Sequence, residues 1–350
     1  MLKIAFVPVL LFIIATSCIN TPKFKNDEKR IDALNSMQQA DIDFSNRSKE
    51  VGMKKAFLEL HFAVLLAGFT GVLGRLITMN EGMLVWYRML ITAATLWVIM
   101  SLTKKLQKIS VKEMFRISGI GFLAALHWVF FFASIKYSNV SVGLVCLSVV
   151  GFFSAILEPL INRVKINITE LIFGLLSVFG IYLIFHFDTQ YKTGITLGII
   201  SSFFAALFPI LLKLSMNKTN MQTVLTWQMT GGFIALSFLM PVYLYYFPVE
   251  SLLPSMSDFL WLLVLAWLCS VIAFQFSLNA LKKLSAFTVS LSYNLEPLYG
   301  IIMAFIIFKE NKTLNEGFYL GLTVVCLTLM LHMFLLKRKS PRKNHLETKL

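Results

Sequence analysis

From residue 57 onward the chain is a succession of apolar runs separated by short polar breaks. Each run is close to the roughly 20 residues that a helix needs to cross a bilayer. The pattern predicts spans at about 57–78, 84–102, 116–135, 139–161 and 169–187, then at about 194–213, 222–246, 258–280, 286–308 and 315–336. Several breaks are only a few residues long, so neighbouring helices must run antiparallel. The expected fold class is an all-α polytopic membrane protein of ten transmembrane helices. Residues 20–52, ahead of the runs, are polar and charged and hold no spanning segment.

Composition agrees with this pattern. The chain of 350 residues is 57% hydrophobic and 14% charged, with a mean hydropathy of +0.74, outside the range of soluble domains. A net charge of +14 would suit nucleic acid, but the bases lie in short clusters between apolar runs and form no basic domain. No nucleic-acid partner is expected; the expected partners are a small-molecule substrate, with a coupling proton, and membrane lipid. Lys54, Lys55, Lys104, Lys105, Lys108, Lys112, Arg116, Arg163, Lys165, Lys213, Lys218, Lys282, Lys283 and the tail bases Lys337, Arg338, Lys339, Arg342 and Lys343 fall on one side. Lys136, Lys192, Lys309, Lys312, Arg75 and Arg88 fall on the other. The excess is about three to one, which predicts a cytoplasmic location for both ends of the ten-helix body in an inner or plasma membrane.

Catalytic signatures are missing from the sequence. Cys146, Cys269 and Cys326 sit inside apolar runs with no CxxC spacing, and the five histidines form no HExxH. There is no GxGxxG, Walker A or GxSxG segment. Neither an enzyme, nor a cofactor, nor a metal is expected.

The first 52 residues stand apart. Met1-Leu2-Lys3, an apolar run at 4–14 and Ala15-Thr16-Ser17-Cys18 have the layout of a secretory or lipoprotein leader. They are expected to be a leader or upstream extension, with a native start at or near Met53-Lys54-Lys55. Cleavage as a lipoprotein would leave Lys54 and Lys55 outside and set every later loop against its charges.

Self-comparison reveals a repeat. AGFTGVLGRL at 67–76 aligns with AALFPILLKL at 205–214, placing Arg75 on Lys213 and Gly71 on Pro209 at an offset of 138. LVWYRM at 84–89 aligns with LTWQMT at 225–230, and ASIKYSNVSVGL at 133–144 with NALKKLSAFTVSL at 279–291. A unit of five helices is odd in number, so two copies must enter the membrane from opposite sides. Such inverted repeats place a substrate site near the midplane between them. The expected divisions are an extension at 1–52, repeats at 53–190 and 191–336, and a basic tail at 337–350.

The two halves, the bases ending the first helix of each (Arg75, Lys213), Trp86-Tyr87-Arg88, and Leu295-Glu296-Pro297-Leu298 followed by Phe308-Lys309-Glu310 carry a family resemblance. From about 57 to 336 the chain resembles EamA-like members of the drug/metabolite transporter superfamily. The resemblance implies export or exchange of small metabolites such as amino acids. Separately, 38–59 (QQADIDFSNRSKEVGMKKAFLE) is similar to the opening helix of SnoaL-like lipoproteins.

Candidate site residues follow from polar groups placed in apolar runs. Glu296 lies about ten residues into the predicted span 286–308, where a charge costs roughly 2.5–3.5 kcal/mol. It either binds an amino group or a coupling proton, or is tied to Tyr293, Asn294 or a neighbouring helix. Pro297 beside it removes a backbone donor. Arg88 and Arg75 either meet a substrate carboxylate or snorkel to headgroups. Lys213 answers either to a substrate or to the positive-inside tendency. His127, Trp128, Gln228, Gln275 and Asn279 either line a polar cavity or form interhelical ties. Glu158-Pro159 is expected to end a helix facing Arg163, and Gly68, Gly71 and Gly74 to form a packing face. The function expected is a secondary permease that effluxes or exchanges a small polar metabolite. The alternatives are a sugar or sugar-phosphate importer and, from another class, an intramembrane enzyme, for which no paired groups are evident.

Overall fold

The structure, a computed structural model, describes residues 27–187, 189–215, 219–284 and 286–339. The leader-like stretch 4–18 and the tail bases Arg342 and Lys343 lie outside the described residues. The chain divides into two units, Met1–Lys55 and Ala56–Leu350. In the first, the described residues are helical from Asp27. The second is the membrane body.

Ten helices make up that body: α1 (Gly52–Leu76), α2 (Glu81–Thr103), α3 (Val111–Lys136), α4 (Val140–Asn162), α5 (Ile168–Phe187), α6 (Lys192–Ser215), α7 (Met221–Tyr246), α8 (Met256–Leu281), α9 and α10 (Glu316–Lys339). The ninth is in two pieces, α9a (Ala286–Tyr293) and α9b (Glu296–Phe308). Seven of the helices are long and apolar enough to cross a membrane, and the others are shorter apolar helices.

The polar breaks work as helix punctuation. Asn80, Ser110, Asn139, Asn220 and Ser255 each accept a hydrogen bond from the backbone N–H three residues later, which starts the next helix. Lys104, Arg163 and Lys309 take left-handed φ values of 51°, 55° and 57° and end α2, α4 and α9b. The last two occupy matching places in the two repeats.

The repeat is visible in which helices touch. α3 packs on α6, and its counterpart α8 packs on α1 through Phe62 and Phe276, with ring centroids 5.7 Å apart. Likewise α3 with α7 is matched by α8 with α2, while α2–α7, α4–α9b and α5–α10 each join equivalent helices. An axis in the membrane plane exchanges these pairs, as the odd number of helices per half requires. Three of the crossings bring backbone against backbone at paired glycines. A Cβ on Gly68 would meet the Glu296 carbonyl and the Gly300 nitrogen at 2.8 Å; Gly121 and Gly232, and Gly180 and Gly321, pair in the same way.

Three helices are irregular where they face the centre. α4 has a tight 3₁₀ turn at Leu147–Val149, α8 a π-helical stretch at Trp267–Ile272, and α9 breaks after Tyr293. The α4 turn and the α9 break fall at matching positions of the repeat. The apolar pattern predicts one span at 286–308 with Pro297 removing a donor inside it, whereas the helix is in two pieces. Pro297 instead lies in the first turn of α9b, where its missing N–H has no bond to lose.

Candidate functional site

Between the two repeats lies a cavity of about 880 Å³, lined from all three irregular helices: Leu147, Ser148 and Gly151 from α4, Cys269 from the π-helical stretch of α8, and Tyr293, Asn294 and Glu296 from α9. Its polarity is concentrated on a few side chains. Arg88 is only 4% exposed, and its guanidinium lies over the Trp128 ring, 4.1 Å from the centroid. Arg88 Nε donates to Ser270 Oγ at 3.2 Å. Ser270 comes from the π-helical stretch, where the extra residue per turn carries its hydroxyl round to the arginine. Arg88 Nη1 is buried with no hydrogen-bond partner, on a side chain that lines the cavity.

Glu296 lines the same cavity from the first turn of α9b, where a carboxylate is favoured by the free N–H groups of a helix start. Among the described residues no hydrogen bond or ion pair takes up its carboxylate. His127 completes the polar wall. Its Nδ1 is 3.1 Å from the Ser201 carbonyl and 2.9 Å from Ser201 Oγ, while that hydroxyl donates to the His127 carbonyl. With the serine proton used in that way, Nδ1 must carry the imidazole hydrogen and Nε2 is left as an acceptor. Phe131 stacks on the His127 ring at 6.1 Å, and Phe208 lies 5.9 Å away.

The cavity is asymmetric along the helix axes. Toward one end it reaches Glu158, Glu170 and Lys213, in the terminal turns of α4, α5 and α6. Toward the other it stops at Thr70 and Arg88. Beyond them the helix ends are tied together. Asp258 accepts from the backbone N–H and hydroxyl of Thr78, each at 2.8 Å; Tyr243 OH donates to Glu81 at 3.0 Å; Lys136 Nζ donates to the carbonyls of Ile77 and Met79. Arg75 and Glu310 form an ion pair at the same end.

Of the nine candidates read from the sequence, Glu296, Arg88, Trp128, His127 and Lys213 line the cavity. Arg75 does not; it lies with Phe308 and Glu310 at the closed end. Gln228 is buried where α7 crosses Gly121 of α3. Gln275 donates to Asn279 at 3.0 Å on an exposed face of α8, and neither residue lines the cavity. Glu158 was expected to face Arg163; its partner is Lys213, at 3.2 Å across the cavity mouth. Ser270 and Ser148 are not marked in the sequence; Asn294 enters there only as a tie for Glu296, and Glu310 only as part of the Phe308-Lys309-Glu310 segment. A doublet of Glu-Pro near a helix break is a usable signal for Asn294, but no local pattern marks the others.

Three comparisons bear on this arrangement. The EamA-like transporter family matches the chain twice, over residues 55–186 and 192–332. This protein belongs to the EamA-like transporter family. The two matches correspond to the two inverted halves, so this EamA-like protein has its cavity at the junction of two family modules. An uncharacterized transporter of Haemophilus influenzae is 28% identical over 288 residues, covering 76% of this chain and 90% of that one. A solved crystal structure shares the fold, with a TM-score of 0.55 at 12% identity, over 81% of this chain and 99% of the other.

Proposed function

We propose that this EamA-like transporter is a secondary permease for a small zwitterionic metabolite of amino-acid type. It effluxes or exchanges that substrate by alternating access between the two repeats, without catalysis. The supporting observation is the pair of unmatched groups in one cavity: an Arg88 Nη1 with no partner and a Glu296 carboxylate with none. No direct ion pair joins them, although each feels the other's charge across the cavity. A substrate carrying both a carboxylate and an ammonium would satisfy each of them. Charge-assisted hydrogen bonds of this kind contribute about 1.5–3 kcal/mol apiece. Trp128, Phe131 and Phe208 supply apolar walls for a side chain.

The excess of bases in its loops supports a mouth at Lys213 on the cytoplasmic side of an inner or plasma membrane, with both ends of the ten-helix body on that side too. Substrate would enter from the cytoplasm, which favours efflux or exchange over import. Glu296, set at a helix break in mid-membrane, is also the group suited to carry a coupling proton. A sugar phosphate would bring its dianion against Glu296, so the importer alternative is the weaker one.

The test is counterflow in proteoliposomes: protein reconstituted with a high internal concentration of one amino acid, and uptake of the same labelled amino acid measured for each of a panel. Accumulation of at least one zwitterion above protein-free vesicles supports the proposal. Accumulation of sugar phosphates in place of amino acids would overturn it.

A further inference from the structure

The closed end of the cavity is centred on Glu310, which is 2% exposed. Lys309, left-handed at φ 57°, ends α9b and turns the chain back so that Glu310 points under α4. There Oε1 accepts from the Val140 N–H at 3.0 Å, and Oε2 accepts from the Ser141 N–H at 2.9 Å and the Ser141 hydroxyl at 2.6 Å. Arg75 of α1 pairs with Oε1 and lies 4.6 Å from the centroid of the Phe308 ring. One carboxylate from the second repeat thus holds the ends of two helices of the first. The seat is specific to a carboxylate: four donors converge on its two oxygens, and without it two backbone N–H groups at the start of α4 would be buried unpaired.

The matching place in the first repeat is different. Arg163 ends α4 at φ 55° as Lys309 ends α9b at φ 57°, so the residue that follows it, Val164, corresponds to Glu310. Val164 is 60% exposed and has no carboxylate to offer. Lys213, the counterpart of Arg75, is left to an exposed pair with Glu158 at the open mouth, of the kind that contributes little to holding helices together.

We propose that Glu310 is the latch of the Arg75 end, and that the absence of its counterpart at Val164 makes the state open toward Lys213 the resting state of the transporter. The proposal rests on the alternating-access reading above. For the cavity to open the other way, α9b must leave α1 and α4, and every bond to Glu310 must break. Closing the Lys213 end regains no equivalent set. The two access states are therefore unequal in the absence of substrate, and Glu310 adds to that imbalance beside the Asp258, Glu81 and Lys136 ties at the same end.

The experiment is site-directed labelling. Ser154, on the part of α4 that lines the cavity, is replaced by cysteine in full-length protein whose four native cysteines are removed. A membrane-impermeant maleimide is applied to the face bearing Arg75 or to the face bearing Lys213, using intact cells and inverted vesicles. The parent is expected to label from the Lys213 face and slowly from the other. Glu310→Gln should raise the rate from the Arg75 face tenfold or more and lower the rate from the Lys213 face. Arg75→Gln keeps the Glu310 seat on α4, so it should shift both rates in the same directions by less; it carries the test if Glu310→Gln does not accumulate. Unchanged rates in the variants that accumulate, or an equal rise from both faces as loosening of the fold would give, would overturn the latch. Labelling needs no substrate, so absence of flux would count against the transport proposal and a failed shift against the latch alone.

Discussion

The crossing of α1 and α9b at Gly68 sets the position of the helix break that carries Glu296, and it can be tested by one methyl group. A Cβ at Gly68 would lie 2.8 Å from the Glu296 carbonyl oxygen and the Gly300 nitrogen, and 3.3 Å from the Gly300 Cα. All three atoms are backbone, so no rotamer change relieves the clash. Restoring ordinary contact requires the helices to part by roughly 0.6 Å, and overpacking of this kind costs about 1–3 kcal/mol. Alanine also stabilises a helix by about 0.5–1 kcal/mol relative to glycine. Gly119, in α3, is exposed and has nothing within 4 Å of its Cβ position, so Gly119→Ala should show that gain alone. Comparing the two variants cancels the propensity term: Gly68→Ala should be less stable than Gly119→Ala by about 1–3 kcal/mol. Thermal unfolding of purified protein in mild detergent, followed by tryptophan fluorescence, measures the difference, which should amount to several degrees. If Gly68→Ala unfolds at or above the temperature of Gly119→Ala, α1 and α9b do not cross as described.

Three other outcomes follow from the cavity. Arg88→Lys keeps the charge but loses the Ser270 bond and the planar stack on Trp128, so the KM for exchange should rise about 10–100-fold, corresponding to about 1.4–2.7 kcal/mol. Ser270→Ala should raise the KM by a smaller factor, because Nε of Arg88 loses a partner while the guanidinium stays over Trp128; equal effects of the two would show that Ser270 does more than hold the arginine. Lys213→Gln removes an ion pair whose side chains are 75% and 43% exposed, so unfolding should shift by less than about 1 kcal/mol.

The sequence made the scaffold legible for physical reasons. Ten apolar runs of bilayer length, an odd number per repeat and glycines at three-residue spacing in α1 each constrain the fold through strong, local effects. The details of the site depended on weaker ones. Lipid-facing and interior-facing positions of a membrane helix are both apolar, so periodicity gives little indication of which way a polar residue turns. For Gln275 and Asn279 the sequence leaves a cavity wall and an interhelical tie equally open; in the structure Gln275 bonds Asn279 and accepts from Gln222 of α7, away from the cavity. Arg75 and Arg88 looked alike, each a base near the end of an apolar run; only packing turns Arg88 over Trp128 and Arg75 toward Glu310. The π-helical stretch that delivers Ser270 has neither proline nor glycine to announce it. Glu310 reads as an ordinary helix-end acid because its partners, Arg75, Val140 and Ser141, lie about 170 residues or more away along the chain. By contrast Glu296-Pro297 stands out, because a carboxylate inside an apolar run is costly in lipid wherever it faces, and the proline beside it marks the helix start at which the break falls.

The central claim is that Arg88 and Glu296 hold the two charged ends of one substrate in one cavity. It is tested most directly by competition in the counterflow assay, with an amino acid that is transported set against its methyl ester and its N-acetyl derivative. The ester lacks the carboxylate and the N-acetyl compound lacks the ammonium. With wild-type protein both derivatives should compete at least tenfold more weakly than the parent amino acid. Glu296→Gln should narrow the gap for the N-acetyl compound and leave the ester disfavoured. Equal competition by all three compounds on the wild-type protein would contradict the account.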